Sequence, residues 1–257
     1  MALHPSSHTL HPSTCQRRTF FLLKRVNRTI REHGLIADGD RVAVGVSGGK
    51  DSLVLLHLLD ARRARAREKY DLLALHAYDP ANPAADPAWR ETLAAWLETR
   101  GIEYAFVPMD VPPDEPRPMN CFRCAWHRRK ALFIAADARG YPTLALAHHA
   151  DDVAATILLN LANKGRLESI CPRTVFFDGR ITVIRPLFHV PEHELAHLAA
   201  LCDFPAPPPP CPQAAHSGRA HARAALTTLS AVNPLARENL WRAVERRLKM
   251  TDYGQAG

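Results

Sequence analysis

Apolar positions along this chain alternate between short unbroken runs and longer amphipathic stretches. Val42-Ala43-Val44-Gly45-Val46 is a continuous run of strand length, so a strand buried on both faces is expected at about 41–46. Leu53-Val54-Leu55-Leu56-His57-Leu58-Leu59 follows closely and reads as a helix. Further strands are expected at about 71–78, 103–107 and 143–147, with helices at about 87–100, 121–139 and 151–163. Strands and helices in strict alternation predict an α/β fold: a doubly wound parallel sheet with helices on both faces.

The flanks have different patterns. A helix is expected at 15–33, with Phe20, Phe21, Leu23, Val26, Asn27 and Ile30 as its inward stripe and Gly34 as its C-cap. Arg17, Arg18, Lys24, Arg25, Arg28 and Arg31 give it a basic outer side. Past the fourth strand, 174–177 and 181–184 read as a hairpin on an Asp178-Gly179 turn. Residues 205–212 form a stiff proline-rich loop. Two closing helices are expected at about 218–230 and 234–248. The second is basic, with Arg237, Arg242, Arg246, Arg247 and Lys249. The chain therefore divides into a disordered tail (1–14), a basic helical segment (15–38), a central domain (39–212) and a C-terminal helical region (213–257).

The junction between the first strand and its helix carries the strongest chemical signal. Ser47-Gly48-Gly49-Lys50-Asp51-Ser52 places a glycine-rich turn at the start of a helix, where backbone N–H groups and the helix dipole favour phosphate. The glycines admit close approach of the anion, the serines offer hydroxyls and Lys50 a charge. Asp51 is out of place in a pure anion site and suits a helix cap or a magnesium ligand. The spacing is neither that of GxxxxGK[ST] nor that of GxGxxG. The plainer alternative is a turn that only starts a helix.

Charge and cysteine usage narrow the setting. A net charge of +7 favours a polyanionic partner, nucleic acid first, against a merely solvated basic surface. The six cysteines are few and unevenly spaced, which implies thiols in a reducing compartment, the cytoplasm. The His- and Pro-rich N-terminus lacks the apolar core of a secretory signal, and no apolar run approaches a membrane span. Cys121-Phe122-Arg123-Cys124 opens a helix after a proline-rich loop, where two thiols can ligate one metal or cluster. A redox pair or two buried cysteines are the alternatives. Cys15, Cys171, Cys202 and Cys211 are the candidates for a third ligand.

The hexapeptide 47–52 resembles the PP-loop of the N-type ATP pyrophosphatases, which cleave ATP between the α and β phosphates and adenylate an acceptor oxygen. Three further segments follow in order: Cys121-Phe122-Arg123-Cys124 with Arg128-Arg129, then Ala147-His148-His149-Ala150-Asp151-Asp152 with Thr156 and Asn160, then Ile184-Arg185-Pro186-Leu187. Together with Pro210-Cys211 they resemble the TtcA-type tRNA 2-thiocytidine synthetases. The resemblance implies ATP bound by Ser47, Gly48, Gly49, Lys50, Asp51, Ser52, His148, Asp151, Asp152 and Arg185, with Mg2+ on a carboxylate. It implies a 4Fe–4S cluster on Cys121, Cys124 and Cys211, with one iron lacking a protein ligand and able to carry sulfur. These cysteines, with Lys50 and Asp51, would be the catalytic groups. Cytidine 32 of tRNA is the implied target, a cysteine-desulfurase-type protein the implied sulfur donor, and a homodimer is compatible. One departure is that Cys211 precedes Pro212-Gln213-Ala214 and not a second CxxC. The rival readings are a lysidine-forming PP-loop synthetase, which needs no cysteines, and a non-catalytic nucleotide- or metal-binding protein.

Overall fold

The computed structural model describes residues 12–82, 87–209 and 218–254. The strands are β1 (Asp40–Gly45), β2 (Tyr70–Tyr78), β3 (Glu103–Pro108), β4 (Thr143–Ala145), β5 (Arg173–Phe176) and β6 (Ile181–Ile184). They form one sheet in the order β3-β2-β1-β4-β6-β5. All pairings are parallel except that of β5 with β6, so the expected hairpin supplies an antiparallel edge. The helices are α1 (Pro12–Glu32), α2 (Lys50–Arg63), α3 (Pro87–Glu98), α4 (Cys121–Ala138), α5 (Ala150–Lys164), α6 (Glu192–Leu201), α7 (Gly218–Val232) and α8 (Ala236–Gly254).

The period of the strands sorts their side chains into two core layers. Val42 and Val44 of β1 and Leu72 and Ala74 of β2 pack with α1, α2, α3 and α6. Ala43, Leu73 and Leu75 face the other way, onto Leu132, Phe133 and Ala136 of α4. In α2, Leu53, Val54, Leu55, Leu56, Leu58 and Leu59 are all buried, because the sheet, α1 and α6 surround it. That explains why its sequence has almost no polar face. At the far end α7 and α8 pack on α5 through Ala154, Ala155, Leu226 and Val244.

Several expectations are corrected. Phe20 and Phe21 are 51% and 53% exposed, and Leu22 takes the inward place with Leu23, Val26 and Ile30. The inward seam also carries two polar contacts: Thr19 Oγ1 lies 2.8 Å from His57 Nε2, and Thr29 Oγ1 3.0 Å from His189 Nδ1. Nor is the basic side of α1 all free. Arg18 and Arg25 reach Glu194 of α6 at 2.5 and 3.9 Å, and Arg28 pairs with Glu32. The helix α6 was not expected from the apolar pattern, although Glu192 and Glu194 in its first turn suit a helix start. The hairpin turns through Phe177, Asp178 and Gly179 at φ 54°, 52° and 95°, a longer reversal than the two-residue turn expected. Cys15 and Cys202 form a disulfide instead of remaining thiols, since the packing of α1 against α6 leaves their Cα atoms 5.2 Å apart. The expected tail falls outside the described residues up to residue 11, and α1 begins at Pro12.

The packing separates two substitutions that the sequence pattern treats alike. Leu56→Ala in α2 is expected to cost about 2–5 kcal/mol by leaving a cavity under the sheet. Phe20→Ala is expected to stay within about 0.5 kcal/mol. Urea denaturation midpoints at constant m-value check both.

Candidate active site

In the sheet order, β1 leads to β2 and β3 on one side, while β4 lies on its other side. The connections leaving the carboxyl ends of β1 and β4 therefore diverge and open a crevice. The sequence places Ser47–Ser52 after β1 and Ala147–Asp152 after β4, so both chemistry-bearing segments meet there. A cavity of about 310 Å³ fills the crevice. One half is apolar, lined by Leu75, Ala77, Leu132 and Leu146; the other carries Ser47, Gly49, Ser52 and the arginines 128, 129, 219 and 223.

The loop after β1 is held by its own side chains. Ser52 Oγ accepts from the Ser47 amide at 3.1 Å and donates to the Gly49 carbonyl at 2.8 Å. Gly48 has φ +88°, and a Cβ there would lie 2.5 Å from the Trp89 ring and 2.8 Å from Pro208. Glycine is thus required twice, by conformation and by space. Beyond it, the first turn of α2 presents N–H groups that have no intrahelical acceptor. Lys50 Nζ lies 2.8 Å from Glu192 Oε1 and 3.3 Å from Asp51 Oδ1. Burial opposes its charge, but the Glu192 hydrogen bond and the two carboxylates outweigh burial and raise its pKa.

The adjacent histidines at the start of α5 are pulled in opposite directions. Burial, then the nearby Arg185 guanidinium, pushes His148 down to about 3. His149 is buried as well, yet Asp151, Asp152 and Asp51 surround it and raise its pKa. Asp152 Oδ1 accepts from Arg223 at 2.9 Å, and its Oδ2 accepts from the His149 amide at 3.2 Å. Asp151 accepts from the Glu192 amide at 2.7 Å and pairs with Arg237 at 3.0 Å. Asp51 Oδ1 is buried without a hydrogen bond.

The CxxC segment forms the first turn of α4. Asn120 caps it, its side chain accepting from the Arg123 amide at 2.9 Å. Cys121 is exposed, Cys124 is half-buried, and neither is in a disulfide. Arg128 Nη2 lies 3.6 Å from Cys124 Sγ, and Arg128 also lines the cavity. The turn is braced from below by Glu115, which accepts from Arg123 at 2.5 Å and lies 3.0 Å from His127 Nε2. The Arg123 hydrogen bond, then His127, holds Glu115 down to about 2.

Of the residues expected at the site, Ser47, Gly49, Asp51, Ser52, His148 and Asp152 line the cavity. Asp151 faces α6 and α8 instead. Arg185 lies behind the wall, donating to the Cys171 carbonyl at 2.5 Å, Thr174 Oγ1 at 3.0 Å and His148 Nδ1 at 3.3 Å. Lys50 is turned to Glu192. Cys211 lies outside the described residues. The sequence reading missed Arg219 and Arg223 on α7 and Glu192 on α6. The only signal for Arg223 was its place on a helix after the proline-rich loop.

Comparison with known proteins agrees with this geometry. The family profile described as the PP-loop domain matches residues 22–204. A tRNA-cytidine(32) 2-sulfurtransferase of Geobacter sulfurreducens is 37% identical over 227 residues, covering 85% of this chain and 86% of the relative. That of Citrifermentans bemidjiense is 36% identical over 231 residues, covering 86% and 88%. Among solved structures, the U34-tRNA thiolase NcsA of Methanococcus maripaludis, determined with its [4Fe-4S] cluster, superposes with a TM-score of 0.76 at 25% identity. That match covers 93% of this chain and 81% of the thiolase.

The histidine pair gives the site a pH signature. His148 has its pKa depressed to about 3 against about 6.5 in an unfolded chain, so the unfolded state takes up the proton first as pH falls. Its contribution is fully present above about pH 6.5 and is lost as pH falls toward 3. A His148→Gln variant is expected to lose less stability than the parent between pH 6.5 and 4, measured as the shift in urea midpoint.

Proposed function

The chain belongs to the PP-loop family and, within it, to the tRNA-cytidine(32) 2-sulfurtransferases, and from that membership we propose how its residues divide the work of ATP-dependent tRNA thiolation. The enzyme replaces the C2 oxygen of a tRNA cytidine, position 32, with sulfur and converts ATP to AMP and pyrophosphate. A pyrimidine carbonyl oxygen is a poor leaving group. Its attack on the α-phosphate expels pyrophosphate and turns it into a good one, and AMP then departs as sulfur adds.

The apolar half of the cavity suits adenine, and the first turn of α2 with Ser47, Gly48, Gly49 and Ser52 suits the phosphates. Arg128, Arg129, Arg219 and Arg223 supply the positive charge that a triphosphate needs. Lys50 reaches the phosphates by exchanging Glu192 for them. Asp51 and Asp152 are hard oxygen donors at the phosphate end, and Asp51 Oδ1, which makes no hydrogen bond and has the Lys50 ammonium beside it, fits a Mg2+ ion once Lys50 turns to the phosphates. His148, kept neutral, can accept a hydrogen bond at the cavity wall without adding charge. We assign Asp151 and Arg185 supporting roles: the first fixes α6 and Arg237, the second holds His148 and the 171–174 segment.

Two thiols at one helix start are soft donors that fit an iron–sulfur cluster, with Cys211 as the third ligand. Pro208, three residues before Cys211, packs at Gly48 of the PP-loop, which supports that choice. When bound, a 4Fe–4S cluster with three protein ligands supplies an iron with an open position for sulfur. The observation that carries the reading is Arg128: it touches Cys124 Sγ and lines the nucleotide cavity, so one guanidinium spans the thiol helix and the nucleotide site, which supports delivery of sulfur from the first to the second. A cytoplasmic setting suits a tRNA substrate, and a cysteine desulfurase suits the supply of sulfur to such a site. A homodimer is compatible with this assignment. Among the described residues no helix is long and apolar enough to cross a membrane.

Two sets of variants should fail differently. Cys121→Ala, Cys124→Ala and Cys211→Ala are expected to abolish thiolation and lower iron and sulfide content, with ATP affinity retained. Lys50→Ala and Lys50→Gln are expected to keep their iron while weakening ATP binding by about tenfold or more. Anaerobic absorption, iron–sulfide analysis, ATP titration and thiolation of tRNA measure the four quantities. Full iron content and a normal thiolation rate in Cys211→Ala would refute the three-cysteine assignment. Normal modification of tRNA by all three cysteine variants would favour a lysidine-type reaction.

A further inference from the structure

A second concavity, of about 520 Å³, lies between the outer face of α4 and the β5–β6 hairpin. No step proposed above uses it. Its floor is aromatic: Trp126 and Phe133 from α4, Phe176 and Phe177 from the hairpin, with Phe133 and Phe177 edge to face at 5.7 Å. Its rim is cationic, formed by Arg129, Lys130 and Arg180. Lys130 Nζ lies 5.9 Å over the Trp126 ring.

Three observations point to an occupant. First, Trp126 is 47% and Phe177 60% exposed, large apolar areas left to water on one small surface. Phe177 is held there at φ 54°, a conformation that an aromatic residue adopts only at an energetic cost. Burial within the chain does not offset that cost. Second, the acidic partners of the rim are weak competitors. Lys130 pairs with the exposed Asp110 at 3.0 Å, and Arg180 with Asp137 at 2.6 Å. Exposed pairs of this kind contribute little and give way to phosphate. Arg129 carries no ion pair among the described residues. Third, Arg129 lines both this groove and the nucleotide cavity, so the two lie on either side of one guanidinium side chain.

Aromatic faces for stacking beside cations for backbone phosphates are what unpaired nucleotides require. We propose that this groove seats tRNA loop nucleotides neighbouring the target cytidine, stacked on Trp126 and Phe177, while the cytidine itself enters the nucleotide cavity past Arg129. The proposal rests on the tRNA-thiolation reading. A second copy of this chain is the less suitable occupant, because a two-fold contact here would bring the basic rims of two chains with net charge +7 against each other.

The probe is a synthetic anticodon stem-loop RNA with a cytidine at position 32, titrated into the full-length protein by fluorescence anisotropy over a salt series. Phe177→Asn removes the ring while suiting the positive φ, so its fold is retained. Trp126→Ala removes the second face. Each is expected to weaken RNA binding about five- to a hundredfold with the salt slope unchanged, since every cation that meets a phosphate remains in place. Lys130→Gln with Arg180→Gln is expected to flatten the slope by about one for each cation removed. ATP affinity should be that of the parent in all of them. Parental RNA affinity in both aromatic variants overturns the groove assignment and leaves the thiolation reading standing. A parent protein that binds no stem-loop RNA overturns both. Unchanged RNA affinity with a drop in mass by light scattering overturns it too and makes the groove a contact between copies.

Discussion

The parallel pairing of β1 with β4, Val42 opposite Thr143 and Val44 opposite Ala145, is the constraint on which the site depends. Because the two strands point the same way, side by side, their outgoing loops start within one crevice and their helices begin there. The starts of α2 and α5 thus share a wall, and α4 adds Ala125, Arg128, Arg129 and Leu132 from its second and third turns. The first two helices each bring a positive dipole end to the crevice. Two such ends and four arginines would repel one another in an empty crevice. The carboxylates of Asp51, Asp151, Asp152 and Glu192 answer them, and nearly all of these acids pair with a cation or a helix amide.

That charge balance also explains the division of labour between His148 and His149. The two share burial, and burial alone would keep both neutral. What differs is direction. His149 points into the three aspartates, whereas His148 receives the Arg185 guanidinium. One ring therefore lies between α2 and α5 with its protonated form favoured by the aspartates, and the other stays a neutral group on the cavity wall. The same economy holds at the thiol helix. Glu115 lies beneath Arg123 and His127 and fixes the turn that presents Cys121 and Cys124, while Arg117 ties the loop to Asp79 at the end of β2.

How far the sequence discloses this can be argued residue by residue. The strand and helix order was legible because each core strand is an apolar run and most loops are marked by glycine or proline. The phosphate loop was legible because Gly48 must have positive φ and no Cβ. Phe20 and Phe21 were misread because helical periodicity fixes a stripe only to within one position, and only α2 and α6 decide that Leu22 turns inward. Arg223 was legible only from its place on a helix after the proline-rich loop, and Glu192 not at all. Their partners, Asp152 and Lys50, lie 71 and 142 residues away, and long-range ion pairs leave no local pattern. Arg185 was read as a phosphate ligand from its motif, yet its hydrogen bonds go to Cys171, Thr174 and His148. The Cys15–Cys202 bond, 187 residues in span, was hidden for the same reason.

The proline-rich segment ties these parts together. Trp89 donates its Nε1–H to the Ala206 carbonyl at 2.7 Å, and its ring closes over Gly48. Pro208 meets the same glycine beside that ring. Trp96 repeats the tether at the Asp203 carbonyl, 3.0 Å away. Two indole donors on α3 therefore pin the chain between Asp203 and Ala206 across the mouth of the phosphate loop. Proline cannot relax into a helix or donate to a strand, so the segment stays extended along that path. Anything that moves the backbone at Gly48 presses on Trp89 and Pro208 together. The phosphate loop and the stretch from Asp203 to Pro208 are in this way one mechanical unit. Sulfur transfer has to follow activation of the base, and a direct contact between the two segments is the simplest physical route by which the filling of one can be felt by the other.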